Sequence, residues 1–192
     1  MEVAALSGFA FASTDEAYMR VVHAFEDVPV AFKIAGRVPV QAGSYSWTNI
    51  NPNFRTSQAR PIKVRGDIQC CSFYNGDYVR ADLQIDFRPS PLFQIAPHYP
   101  FTHIYLPAGC INIHLLAADF RVNFTPDMQL FTQLQFDNIS QKFALSARYR
   151  WEYAPGPELF ASVGQSAIIP GEPTFTAEST QATVRLGHTF RF

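Results

Sequence analysis

The sequence predicts an all-β protein: an antiparallel up-and-down meander of the transmembrane, outer-membrane β-barrel type, with about 10 to 12 strands. Apolar and polar residues alternate with period two through most of the 192 residues. Hairpin-type turn residues separate the alternating runs. The chain holds 18 Phe and 8 Tyr, yet it has no run of about 18 apolar residues that could make a spanning helix, so any membrane crossing must use strands.

Three weaker strands open the order, at Glu2–Phe11, Ala17–Glu26 and Ser44–Phe54. "PIKVRGDIQCCSFY" then places Ile62, Val64, Ile68 and Cys70 opposite Lys63, Arg65, Asp67 and Gln69. "YVRADLQIDF" places Val79, Ala81, Leu83, Ile85 and Phe87 opposite Arg80, Asp82, Gln84 and Asp86. Asn75-Gly76 between them is a strong hairpin signal. A two-residue loop there sets Tyr74 against Asp77, Arg65 against Asp86 and Val64 against Phe87, so both apolar sets fall on one face.

The pattern continues through "FQIAPHYPF", "LAADFRVNF", "MQLFTQLQF" and "KFALSARYRWEY". In the last of these, Phe143, Leu145, Ala147, Tyr149, Trp151 and Tyr153 oppose Ala144, Ser146, Arg148, Arg150 and Glu152. Glu158–Gln165 and the closing "QATVRLGHTFRF" complete eleven strands, the final one alternating Val184, Leu186, Phe190 and Phe192 with Thr183, Arg185, Thr189 and Arg191. "TPD", "RPSP" and "APGP" read as tight turns, and "EDVPVAFKIAGRVPVQAG" and "GQSAIIPGEPTFTAEST" as long loops. Short turns are periplasmic and long loops extracellular in bacterial barrels. Val79, Leu83, Ile85, Phe143, Leu145, Leu186 and their face-mates then meet lipid, with Phe87, Phe124, Tyr149, Trp151, Tyr153 and Phe190 as the interfacial girdle.

The opposite row is charged: Lys63, Arg65, Asp67, Arg80, Asp82, Asp86, Asp119, Arg121, Arg148, Arg150, Glu152, Arg185 and Arg191. It suits a barrel lumen, either as a cross-strand salt-bridge lattice, favoured by the interleaving of acids and bases, or as a selective pore. A formal net charge of −1 gives no basic excess for nucleic acid. The three cysteines have neither a zinc spacing nor the density of a disulfide scaffold. His103 and His114, with Asp119 nearby, lack an accompanying serine nucleophile motif and read as loop or lumen histidines. The pattern implies no catalytic residue, cofactor or metal.

"SFYNGD", "LPAG" followed by "IHLLAADFRVNFTP", "ARYRWEYAPGPELF" and the terminal "FRF" resemble the C-terminal outer-membrane barrel domain of unknown function that follows a carbohydrate-binding family 9-like domain in many Gram-negative bacteria. The resemblance spans roughly 26–192, in order and spacing and not in any catalytic motif. It implies a bacterial outer-membrane location, lipid as the surrounding medium, and a structural, anchoring or transport role in a family linked to carbohydrate, which makes a saccharide a candidate ligand. The 192 residues do not include the sugar-binding-like module, so a role that depends on it does not carry over. Phe192 looks like the signal read by the barrel-assembly machinery.

"MEVAALSGFAFASTDEAYMR" has no secretory signal pattern. Bacterial barrels close with even strand numbers. With eleven strands, the expectation is therefore a single barrel domain over residues 1–192 that is the C-terminal part of a larger barrel, with an unpaired N-terminal edge and a signal peptide further upstream. The same alternation also allows a soluble β-sandwich or lipocalin-like binding module, and a lipid-acting barrel enzyme is a third reading.

Overall fold

A computed structural model describes residues 1–169 and 176–188 of the protein. Among them every regular element is a strand. In chain order they are β1 (Glu2–Ala10), β2 (Glu16–Val28), β3 (Phe32–Ile34), β4 (Val38–Val40), β5 (Gly43–Arg55), β6 (Ile62–Phe73) and β7 (Gly76–Ser90). Then follow β8 (Phe93–Leu106), β9 (Gly109–Thr125), β10 (Met128–Asp137), β11 (Lys142–Glu152), β12 (Pro157–Ile168) and β13 (Thr176–His188). The proposed positions of Phe190, Arg191 and Phe192 lie outside the described residues.

Eleven strands form one antiparallel sheet in the order β1-β2-β5-β6-β7-β8-β9-β10-β11-β12-β13, each beside its sequence neighbour except where the β3–β4 hairpin intervenes. This is the expected meander, and all three weak early strands are present. Among the described residues the sheet is not closed: β1 pairs with β2 alone and β13 with β12 alone. The chain divides into two compact units, Met1–Gln84 with Tyr99–His114, and Ile85–His98 with Leu115–Phe192. β7, β8 and β9 contribute residues to both.

Three local differences from the sequence reading have physical causes. The β6–β7 turn is Tyr74-Asn75, one residue earlier than expected, with φ +52° at Tyr74. Gly76 instead opens β7, where a Cβ would collide with the Tyr105 carbonyl oxygen and crowd Leu106 of β8. Its missing side chain serves a close approach of two strands and not the turn. The residues flanking the turn are Phe73 and Gly76 in place of Tyr74 and Asp77.

The first long loop contains the β3–β4 hairpin, with Phe32 opposite Val40 and Ile34 opposite Val38. Val28, Val38 and Val40 are buried, and the Phe32 ring meets Tyr74 edge-on at 6.0 Å. The second long stretch is mostly strand, since β12 runs to Ile168 and β13 starts at Thr176.

The hairpin at "TPD" turns on Pro126-Asp127, and a bulge follows between Met128 and Gln129. Proline presets φ for the first turn position, and the bulge reconciles such a turn with the strand twist. "RPSP" turns on Pro91-Leu92 in the same way. The adjacent Cys70 and Cys71 are joined in a disulfide, and Cys110 is a free thiol.

Candidate functional site: the polar face of the sheet

Residues opposite one another in an antiparallel ladder share a face, so the registers sort side chains without reference to exposure. In the first unit, Arg55 lies opposite Glu16 and Arg65, Asn53 opposite Tyr18 and Asp67, Asn51 opposite Arg20, and Asn49 opposite Val22 and Cys71. Lys63, Arg65 and Asp67 therefore share the face of Asn49, Asn51, Asn53 and Arg55. On β7, Tyr78 reaches Gln69 of that face with its hydroxyl, and Arg80 and Asp82 follow at alternate positions.

The other face carries Val3, Phe9, Met19, Val21, Phe25, Ile50, Phe54 and Ile68. Gly66 belongs there beneath the Phe54 ring, which occupies the space a Cβ would need. An apolar cleft of about 390 Å³ opens on this side beside Phe9, Met19, Pro52, Phe54 and Ile68.

The second unit sorts in the same way. Leu134 opposes Ala118 and Leu145, Leu130 opposes Val122 and Tyr149, Trp151 opposes Met128 and Leu159, and Leu159 opposes Leu186. Tyr153 lies just past β11 and meets Trp151 edge-on at 5.8 Å. On the opposite face Asp119 faces Gln133, Arg121 faces Phe131, and Phe131 faces Arg148. One turn further along, Arg150 faces Phe160, and Phe160 faces Arg185. Each of these two phenylalanines is flanked across the sheet by two arginines, and the Arg121 guanidinium lies 5.6 Å from the Phe131 ring centre, within cation–π reach.

The charged row is partly paired. Arg150 Nε donates to Glu158 at 2.9 Å, and its Nη2 lies 3.4 Å from Glu152 on the same strand. Arg80 lies 3.6 Å from Asp82. Arg88 and Asp86 are linked through Gln94, whose amide accepts from Arg88 at 2.6 Å and donates to Asp86 at 3.0 Å. Arg121, Arg148 and Arg185 have no ion pair among the described residues. A cleft of about 600 Å³ lies along Arg150, Glu158, Phe160 and Arg185.

His103 and His114 stand in strands β8 and β9, not in loops. The imidazole of His103 bonds Asn112 Oδ1 at 2.6 Å. That of His114 bonds the Tyr99 hydroxyl at 2.6 Å and packs 4.9 Å from the Phe101 ring. No group of three metal-ligating side chains occurs among the described residues.

Two turns outside the strands carry shifted groups. In the β1–β2 turn, Asp15 accepts from the Ser57 amide at 2.7 Å and the Ser13 hydroxyl at 2.8 Å, and it pairs with Arg60. These donors hold its carboxyl below the usual carboxylate range. Burial, together with the nearby Glu26 carboxylate that accepts its hydroxyl proton at 3.1 Å, pushes Tyr74 up to about 12.

Sequence reasoning missed the uncharged members of the polar face. Trp47 and Phe73 meet edge-on at 5.6 Å, and Phe73 lies 5.2 Å from Tyr78. Asn49 is only 5 % exposed. The signal was available in "NINPN", where asparagine, a poor strand former, recurs at alternate positions. Comparison with protein-family models, curated proteins and solved structures finds no match.

Proposed function

We propose that this chain is a membrane-embedded β-barrel protein of the bacterial outer membrane, with a structural, anchoring or transport role. Its apolar face meets lipid, and its charged face lines the lumen. One observation carries the reading: the ladder registers gather Phe9, Met19, Ile50 and Phe54 in the first unit and Leu134, Leu145, Trp151 and Leu186 in the second on the face opposite most of the charges, with Asp27 near the end of β2 an exception. The apolar ones stay open, with Phe9 and Leu186 each 73 % exposed and Val184 72 % exposed. A soluble sandwich hides that face in its core, and soluble monomers rarely leave so continuous an apolar surface in water. In lipid the same exposure is favourable.

The resemblance to the barrel domain of unknown function belongs to this proposal, as do the assembly role of Phe192 and the girdle of Phe87, Phe124, Tyr149, Trp151, Tyr153 and Phe190. The polar face supports a mixed electrostatic role. Arg150 with Glu158 stiffens the wall across strands, while Arg121, Arg148 and Arg185, spaced by Phe131 and Phe160, leave positive charge facing the lumen. The proposal is tested by expression with an outer-membrane signal sequence, followed by fractionation and gel migration with and without boiling. The expected result is extraction by detergent alone and faster migration of the unboiled form. Protein released into buffer without detergent would overturn the reading in favour of the soluble binding module.

A further inference from the structure

We infer that the polar face of the first unit carries a binding site for a neutral saccharide, centred on Asn49 and Asn51. The inference goes beyond the membrane reading, because this face would recognise its ligand whichever solvent bathes the other one.

The site begins with a break in a ladder. The β5–β6 pairing runs Asn49 to Cys71 and Ile50 to Cys70, then resumes at Asn53 to Asp67. Pro52 has no N–H to give, so Asn51 and Pro52 drop out of the pairing with β6. The Asn51 carbonyl accepts from Asn53 Nδ2 at 3.1 Å, while Asn51 keeps its place opposite Arg20 of β2. The side chains of Asn49 and Asn51 project beside this gap, and the Oδ1 atom of each is buried with no hydrogen-bond partner. Buried amide oxygens are almost always satisfied. Two such orphans on one strand, two residues apart, mark acceptors awaiting donors from a ligand.

Both residues line a cavity of about 330 Å³, within the range of small-molecule sites, and a side-chain rotation would turn each amide oxygen toward it. Arg20 and Glu2 stand in its wall, 4.0 Å apart and both largely exposed. One donor and one acceptor of opposite charge leave the lining neutral. That balance disfavours a phosphate, which Glu2 and the two orphan oxygens would repel, and a polyamine, which Arg20 would repel. Gln69 and Tyr78 add a second exchangeable pair, since their mutual bond is long at 3.4 Å. Trp47 and Phe73 complete the wall with aromatic surface.

A ligand that donates to two amides, accepts from a guanidinium and lays C–H groups on aromatic faces is a polyhydroxylated ring. Each sugar hydroxyl both donates and accepts, so one vicinal pair can satisfy Asn49 and Asn51 together.

The test uses the full chain carrying Trp151→Phe, which leaves Trp47 as the sole tryptophan. Cellobiose, maltotriose, xylotriose and N,N′-diacetylchitobiose are titrated while Trp47 emission is followed. At least one should shift the emission saturably, and Asn49→Ala and Asn51→Ala should each weaken it by about tenfold or more, as expected for losing a buried hydrogen-bonding partner. Circular dichroism checks that each variant keeps its strands. Where an asparagine variant does not fold, Gln69→Ala on the neighbouring strand, read by calorimetry, should weaken the same saccharide. No response to any of the four sugars, unchanged affinity in these variants, or saturable binding of spermidine or inorganic phosphate in their place would overturn the inference. Each of these failures leaves the fractionation result untouched, so the two readings fail separately.

Discussion

Leu145→Arg against Ser146→Arg tests the facing assignment most directly, because adjacent residues receive the same new side chain on opposite faces. Leu145 lies between Leu134 and Gln165 on the apolar face, and Ser146 between Gln133 and Gly164 on the polar one. β11 has 11 residues centred on Ala147. At about 3.3 Å per residue, Leu145 sits about 7 Å from the strand centre, which a tilt of about 40° reduces to about 5 Å along the membrane normal. On the proposed membrane reading, an apolar band about 25 Å tall would hold that position well inside the hydrocarbon. Arginine there should cost about 2 to 4 kcal/mol, discounted slightly for distance from the midplane. Arginine at 146 enters a face that already holds Arg148 and Arg150, and should cost under about 1 kcal/mol. Reversible denaturant unfolding in lipid bilayers, followed by tryptophan emission, gives both values on one scale. Equal costs would refute the assignment of β11, and with it the lipid-facing surface of the second unit.

Three further outcomes follow from particular contacts. Gly76→Ala forces a methyl group onto the Tyr105 carbonyl, where only backbone movement can relieve it, and should lower stability by about 1 to 3 kcal/mol in the same unfolding assay. Asp15 has a folded-state pKa below its unfolded value, so its contribution is fully present above the ordinary carboxylate range and is lost as pH falls through the folded value. Asp15→Asn should therefore flatten the acid limb of the stability–pH curve below about pH 4, and an unchanged limb would discount the turn clamp. A double-mutant cycle on Arg150→Gln and Glu158→Gln should return about 0.2 to 1 kcal/mol of coupling. A coupling near zero would show that this pair contributes nothing to the wall.

The strands were legible where apolar and polar residues alternate cleanly, as in "KFALSARYRWE" of β11. What was not legible depends on atoms brought together across strands. The Asn75-Gly76 signal pointed to the wrong turn pair because glycine has two uses, and only the nearness of β8 shows which one applies at Gly76. The β3–β4 hairpin escaped notice because three-residue strands offer no measurable period. Phe131 and Phe160 stand on the charged face, where hydrophobicity alone would not have put them; their place follows from the registers that set them between arginines. The orphan oxygens of Asn49 and Asn51 are invisible to any one-dimensional pattern, because being unsatisfied is a property of surroundings.

An even displacement of hairpin partners preserves a facing assignment, and the reason bears on how such a surface is specified. Side chains repeat every two residues, so an even displacement exchanges partners without exchanging faces, whereas an odd one turns every apolar residue of the strand toward the charges. Two odd displacements among the described residues are bulges between Met128 and Gln129 and between Ser166 and Ala167. The first lies at the hairpin end of β10, and the second two residues before the end of β12. Between those points the registers of β9 to β13 run unbroken through Leu134, Leu145, Val163 and Val184 on one side and Gln133, Arg148, Ser162 and Thr183 on the other. Bulges confined to strand ends can fit turns to the sheet's twist without mixing the two faces where the membrane reading requires them to be pure. Pro52 achieves a different end within β5. It opens the ladder in mid-strand without changing parity, since the pairs on either side of the gap keep the same register. The two-faced surface is thus preserved while the β5–β6 ladder stays open beside Asn49 and Asn51.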